Sequence, residues 1–82
     1  MLVKIYSLLN GLSVLENVKV IRIKSKDYNL LIMKDYVPLI GEIEGDFEVE
    51  TDKETKELAN IRGYYVCQNN VFEIILKDET NG

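Results

Sequence analysis

The stretch Tyr64-Tyr65-Val66-Cys67-Gln68-Asn69-Asn70-Val71-Phe72-Glu73-Ile74-Ile75-Leu76-Lys77 predicts a β-hairpin. Both arms are rich in aromatic and β-branched residues, which favour strands. The link is Asn69-Asn70, and asparagine tolerates the positive φ that a two-residue type I′ turn requires. Because side chains alternate across a strand, we expect Phe72, Ile74 and Leu76 to share the inward face.

Similar segments recur along the chain. Short apolar runs are separated by turn residues at intervals of about 8 to 12 residues, which is typical of a β-sandwich or barrel. Residues 2–9 predict a strand, and Asn10-Gly11 predicts a turn that closes either a hairpin or a loop. Residues 12–24 are strand-like but change phase, which indicates a bulge near Val20 or Ile21, or a strand buried on both faces.

These patterns predict an all-β fold, a small flattened β-sandwich or barrel of about eight to ten short, mostly antiparallel strands. The chain has 82 residues, enough for one domain with one modest core. We assign residues 1–77 to this single domain. The polar tail, residues 78–82, is expected to fray.

The clearest half-buried strand lies between residues 46 and 51. Its apolar side chains alternate with Asp46, Glu48 and Glu50, so one face of the strand is expected to pack in the core and the other to be exposed to solvent. A solvated acidic face is favoured over a cation site, and no metal is expected. Arg22, Lys24 and Lys26 also share one side of their strand. They would pair with the acidic strand if the two were neighbours, and could otherwise bind phosphate groups.

Residues 52–61 allow two interpretations. Thr51-Asp52-Lys53-Glu54 fits a capping box, and the good helix formers that follow favour about two helical turns. Helices this short are marginal without packing. We favour a turn near Asp52 and a strand through Leu58 and Ile61, with a single helical turn as the alternative.

Composition excludes several classes of function. The chain has no histidine, one cysteine and no Gly-rich phosphate loop, so the usual general base, zinc sites and mononucleotide loops are absent. Neither enzymatic activity nor a cofactor is expected. A small carboxylate-based enzyme is the third hypothesis, after the two protein-binding roles described below. The net charge of −4 argues against nucleic acid. A single cysteine suggests a reducing compartment, and no apolar run is long enough to insert in a membrane.

Residues 30–45, Leu-Leu-Ile-Met-Lys-Asp-Tyr-Val-Pro-Leu-Ile-Gly-Glu-Ile-Glu-Gly, contain the chain's one proline. Pro38 has no N–H to donate, so a strand is expected to end near Lys34 and the chain to turn a corner. The segment then returns to the core, and Gly45 is expected to supply backbone freedom, either for a tight turn into another strand or for a bulge.

This stretch resembles Leu-Gly-Ile-Leu-Pro-Gly-His-Ala-Pro-Leu-Ile in the N-terminal β domain of the ε subunit of the rotary ATP synthase. The matching residues are Leu30, Ile32, Met33, Pro38, Leu39, Ile40, Ile43 and Gly45. Residues 18–23, 61–67 and 72–76 agree with other strands of that domain in order and spacing. The sequence departs from the family at Lys34, Asp35 and Tyr36, where the family has Pro-Gly-His, and at Ile61-Arg62 in place of Ser-Gly.

The resemblance implies a non-catalytic rotor-stalk subunit that docks on the γ subunit and the c-ring, without the C-terminal helical hairpin. The alternative is a diverged, stand-alone β-sandwich that binds another protein. Either role implies a cytoplasmic location, peripheral on the membrane in the first case. The residues expected to bind the partner are Tyr36, Pro38 and Leu39, at the corner. Tyr64 and Tyr65 must face opposite sides of their strand, so at least one is expected to be exposed.

Overall fold

A computed structural model of the chain describes residues 1–78 and contains strands but no helix in that range. The seven strands are β1 (Leu2–Ser7), β2 (Gly11–Leu15), β3 (Val18–Ser25), β4 (Asn29–Met33), β5 (Leu39–Thr51), β6 (Thr55–Gln68) and β7 (Val71–Asp78). The all-β prediction is confirmed, with fewer strands than the eight to ten expected. The difference arises because β5 and β6 are long, with 13 and 14 residues. Strand β5 runs through Gly45, where the sequence suggested a turn.

The strands form one sheet in the order β2-β1-β7-β6-β5-β3-β4. Strands β1 and β7 are parallel, and the other neighbours are antiparallel. Strands β2 and β3 lie five places apart in this order, yet only Glu16 and Asn17 connect them. The sheet must therefore roll over on itself. The Val18 N–H donates to the Met1 carbonyl at 2.9 Å where the rolled sheet meets.

Bulges bend the long strands. The register of β5 against its neighbour β6 shifts between Gly45 and Phe47, and Gly45 has a φ of 157°, which side chains rarely adopt. A Cβ atom there would overlap the Lys24 carbonyl oxygen. Of the two roles predicted for Gly45, the bulge is confirmed and the tight turn is wrong, because the glycine allows a bend within one continuous strand. In β3 the register shifts between Val18 and Val20, which is the bulge the sequence allowed.

Three turns follow the local chemistry of the sequence. Asn69 and Asn70 both have positive φ, of 52° and 62°, and join β6 to β7 as predicted. Asn10-Gly11 closes a true hairpin, since Ser7 pairs with Gly11. The Thr51 hydroxyl accepts the N–H groups of residues 53 and 54, so the capping signal stabilises a turn, and β6 begins directly after it at Thr55. The strand interpretation of residues 52–61 is confirmed.

The core fills the inside of the rolled sheet. Its buried residues are Val3, Ile5, Val18, Ile21, Ile23, Ile32, Ile43, Phe47, Val49, Ile61, Tyr65, Cys67, Phe72, Ile74 and Leu76. The ring of Phe72 stacks between those of Phe47 and Tyr65, with centroids 5.5 and 5.3 Å away. The inward positions predicted for β7 are confirmed. Of the predicted tail, residues 79–82 lie outside the described residues, and Asp78 ends β7.

Candidate protein-interaction face

The outer side of strands β2, β1, β7 and β6 carries large exposed apolar side chains. Leu12 is 55% exposed, Tyr64 47% and Ile75 57%. These residues alternate with core positions, so they point away from the interior. We call the following residues the outer apolar face: Tyr6, Leu12, Val14, Ile40, Tyr64, Val66 and Ile75.

The strand register makes this face continuous. One row of directly opposed residues crosses four strands as Leu12, Tyr6, Ile75 and Tyr64. The next row crosses five strands as Val14, Lys4, Glu73, Val66 and Ile40. Opposed side chains on a sheet lie about 5 Å apart, so the side chains of the first row adjoin, whereas Lys4 and Glu73 interrupt the second row. Contiguous apolar patches are uncommon on soluble proteins and mark interaction sites.

A groove crosses this face with a volume of about 620 Å³. We call it the tyrosine groove; its lining residues are Tyr6, Tyr64, Val66, Gln68, Glu73 and Ile75. The Tyr6 hydroxyl donates to Glu73 Oε2 at 2.8 Å. This hydrogen bond to a carboxylate raises the pKa of Tyr6, because ionising the phenol would lose the bond and place two negative charges together. The bond fixes the carboxylate within the groove.

The corner residues predicted to bind a partner lie beside this face. Pro38 and Leu39 line a second cleft of about 340 Å³, together with Ile40, Val66, Cys67 and Gln68. Val66 and Gln68 line the tyrosine groove as well, so the two depressions adjoin. Tyr36 is 37% exposed in the segment between β4 and β5. Leu39 packs partly against the core, whereas Ile40 is 78% exposed.

Asn70 ties the corner to the rest of the sheet. Its side-chain oxygen accepts the Asp35 N–H at 2.7 Å, and its amide nitrogen donates to Asp35 Oδ1 at 3.2 Å. Asp35 itself has a φ of 64°, which suits a short polar side chain. The Asn70 carbonyl also accepts the Leu2 N–H at 3.0 Å. One asparagine thus joins the corner, the β6–β7 turn and the start of β1.

The outer side of β3 and β5 is charged instead. The two strands are neighbours, and the Arg22 guanidinium lies 3.2 Å from Glu48 and 3.1 Å from Glu50. The predicted cross-strand pairing is confirmed, so Arg22 is held by protein carboxylates. In the described range 1–78, no group of three or more His, Cys, Asp or Glu side chains is placed to hold a metal ion.

The two buried groups with acidic protons do not reach the tyrosine groove. Burial raises the pKa of the Cys67 thiol, which is only 2% exposed and belongs to the core. Burial also raises the pKa of Tyr65, whose hydroxyl pairs with that of Tyr28 at 2.7 Å. Tyr64 and Tyr65 face opposite sides, as predicted, with Tyr65 3% exposed. The outer apolar face therefore presents apolar contact area and side chains that form hydrogen bonds, and both can contribute to binding another molecule.

No family model and no curated protein matches the chain. The resemblance to the ε subunit thus rests on the segments quoted above. None of residues 1–78 forms a helix that could cross a membrane.

Sequence reasoning missed most of the outer apolar face. Leu12, Val14, Ile40 and Ile75 stand in apolar runs, and apolar runs indicate core positions. A signal was present at Ile75, which follows Ile74 and so must face away from the side that holds Phe72 and Leu76. The exposure of Tyr64 could be inferred in the same way from its buried neighbour.

Proposed function

We propose that this protein is a non-catalytic protein-binding module that contacts its partner through the outer apolar face. The observation that supports this proposal is the continuous row Leu12, Tyr6, Ile75 and Tyr64 across four neighbouring strands. Tyrosines set in apolar surroundings contribute large contact area at low entropic cost, and they are frequent among the residues that dominate binding energies.

The more specific form of the proposal is a rotor-stalk role like that of the ε subunit. The all-β fold and the order of the matching segments support it, and the γ subunit and c-ring are the first partners to test. The second form is a stand-alone module with a different protein partner. Pro38 and Leu39, which line the adjoining cleft, would extend the contact in either case, with Tyr36 beside them.

A capture experiment tests the proposal with three tagged proteins. The face variant carries Leu12→Thr and Ile75→Thr, which place β-branched side chains suited to strands at both positions but remove apolar surface. The control variant carries Leu31→Thr and Met33→Thr on β4; these residues are 48% and 51% exposed and lie away from the outer apolar face. Exposed substitutions of this kind change stability by about 0.5 kcal/mol or less, so all three proteins should fold.

Each protein is used to capture partners from native lysate in mild detergent, and those partners are quantified by mass spectrometry. A candidate is then purified, and its binding is measured by calorimetry. We expect the wild type and the β4 control to bind equally, and the face variant to bind at least about tenfold more weakly. Recovery of the γ subunit and c-ring in this pattern would support the rotor-stalk form. Recovery of another protein in this pattern would support the stand-alone form. Equal binding by both variants would contradict the proposal.

A further inference from the structure

The tyrosine groove combines two phenol rings with one carboxylate. Tyr6 and Tyr64 stand on either side of Ile75, which is directly opposite both of them in the register. Neighbouring strands are about 4.8 Å apart, so the backbones that carry the two tyrosines are separated by about 10 Å. At this backbone separation, the groove between the two tyrosines can admit a planar group beside an aromatic ring. Ile75 provides the apolar floor.

Among the residues that the structure describes, Glu73 is the one charged residue in the lining of the groove. It follows the same outward side of β7 as Ile75 and lies opposite Val66 on β6. One of its oxygens accepts the Tyr6 hydroxyl, and a carboxylate has further lone pairs for a second donor. A negative charge between aromatic rings repels anions and attracts a cation that has an apolar stem.

Lys77 already demonstrates the affinity of one ring for a cation. Its ammonium nitrogen lies 5.4 Å from the centroid of the Tyr64 ring and 3.4 Å from the Tyr64 hydroxyl. This distance is within the range of a cation–π interaction. The Tyr64 ring therefore already has a positive group beside it, which an incoming cation would have to displace unless it stacked on the Tyr6 ring.

We propose that the tyrosine groove binds an arginine side chain of the partner protein, with its guanidinium paired to Glu73. The inference rests on the proposed function and specifies the chemistry of the partner. Arginine fits better than lysine because its planar guanidinium can stack on a phenol ring while it donates to a carboxylate. Its aliphatic stem would cover Ile75 and Val66. The net charge of the chain, −4, also favours a basic partner.

Lys4 gives the proposal a second, opposite test. It lies directly across from Glu73 on β1, and within the part of the chain that the structure describes it makes no ion pair with Glu73. Its ammonium group nevertheless reduces the negative potential near the groove. Removal of Lys4 should therefore strengthen arginine binding, and removal of the Glu73 charge should weaken it.

The probe is N-acetyl-arginine methylamide, titrated into ¹⁵N-labelled protein while the amide signals of Tyr64, Val66 and Glu73 are followed. N-acetyl-norleucine methylamide is the neutral control for the apolar stem. We expect the arginine probe to shift these signals, and Glu73→Gln to weaken its binding about threefold to tenfold. Lys4→Gln should strengthen binding about twofold to threefold. Glu16→Gln, at an exposed carboxylate in the β2–β3 turn, should leave binding unchanged.

Equal binding of the norleucine probe would overturn the inference, as would an unchanged affinity in Glu73→Gln. Tyr64→Leu provides a further check, because it keeps an apolar residue at the edge of the groove while it removes the ring. Its arginine binding should fall and its norleucine binding should not. These outcomes can be separated from those of partner capture. A partner that binds the face variant weakly but binds Glu73→Gln normally would support the protein-binding module and contradict the arginine site.

Discussion

The phenol ring of Tyr65 lies over Gly41, the residue directly opposite it on β5. A Cβ atom at Gly41 would overlap the ring carbon and the hydroxyl of Tyr65. An aromatic ring that covers a cross-strand glycine shields its backbone and compensates for the missing side chain. The glycine also leaves the Tyr65 hydroxyl free to reach Tyr28 at 2.7 Å.

Gly41→Ala is therefore expected to destabilise the protein by about 1–3 kcal/mol, because the methyl group forces the ring out of place. Urea denaturation followed by circular dichroism measures the change. The backbone of Gly41 has no positive φ, so the effect would come from crowding alone. An unchanged midpoint would show that the ring can move aside at no cost.

Alkaline pH should destabilise the protein through Tyr65. Burial and the Tyr28 bond raise the pKa of Tyr65 in the folded state, whereas an unfolded tyrosine ionises near pH ~10. Above pH ~10 the unfolded state releases a proton that the folded state keeps, so the free energy of unfolding falls as pH rises. The stabilisation is fully present below that pH.

Denaturation curves of wild type and Tyr65→Phe at several pH values test this expectation. Tyr65→Phe should be less stable at neutral pH by about 1 kcal/mol, since it loses the bond to Tyr28. Its stability should then fall less steeply above pH ~10. Tyr64→Phe removes an exposed hydroxyl from the neighbouring residue and is the matched control, which should change stability at neutral pH by about 0.5 kcal/mol or less. Parallel curves for wild type and Tyr65→Phe would disprove the assignment.

Gly45 and Gly11 should respond differently to alanine. Gly45 combines a φ of 157° with close contact to the Lys24 carbonyl, so Gly45→Ala is expected to cost about 3 kcal/mol or more. Gly11 has a φ of 74° but nothing within 4 Å of its missing Cβ, so Gly11→Ala should cost about 1–2 kcal/mol. Thermal melts of the two variants give the comparison. A smaller loss for Gly45→Ala would mean that the bulge is adjustable.

The two turn asparagines should separate backbone from side-chain effects. Both have positive φ, which glycine adopts freely. Asn69→Gly should therefore change stability by about 0.5 kcal/mol or less. Asn70→Gly should cost about 1 kcal/mol, because it removes both bonds to Asp35. Amide hydrogen exchange near Asp35 should quicken only in Asn70→Gly, and equal exchange in both variants would refute the role of the side chain.

The local features of the fold could be predicted from the sequence because their causes are local. The Asn69-Asn70 turn and the alternation at residues 46–51 each depend on residues that are adjacent in the sequence. The parallel pairing of β1 with β7 joins Leu2 to Val71, and no local pattern encodes such a pairing. The turn and the bulge at Gly45 could not be told apart, because a glycine that bends a strand and one that ends it look alike in sequence.

The candidate site was harder to predict for a related reason. Apolar residues signal burial, and a strand has two sides that the sequence lists alternately. Ile74 and Ile75 are adjacent, yet the first is fully buried and the second 57% exposed. Only the exposure of Ile75 in the structure shows that, within residues 1–78, the second side of β7 has no layer over it. Pro38 could be placed at a corner, but its neighbour Val66 comes from a distant part of the chain.

The parallel pair of β1 and β7 determines when the outer apolar face is complete. The outer apolar face takes Tyr6 and Leu12 from one end of the described chain and Tyr64 and Ile75 from the other. A nascent polypeptide that has emerged only as far as residue 60 lacks three of the seven residues of the face, however well its first strands have paired. A partner that recognises the whole face would thus pass over such chains, and assembly with it would wait until β7 has been synthesised.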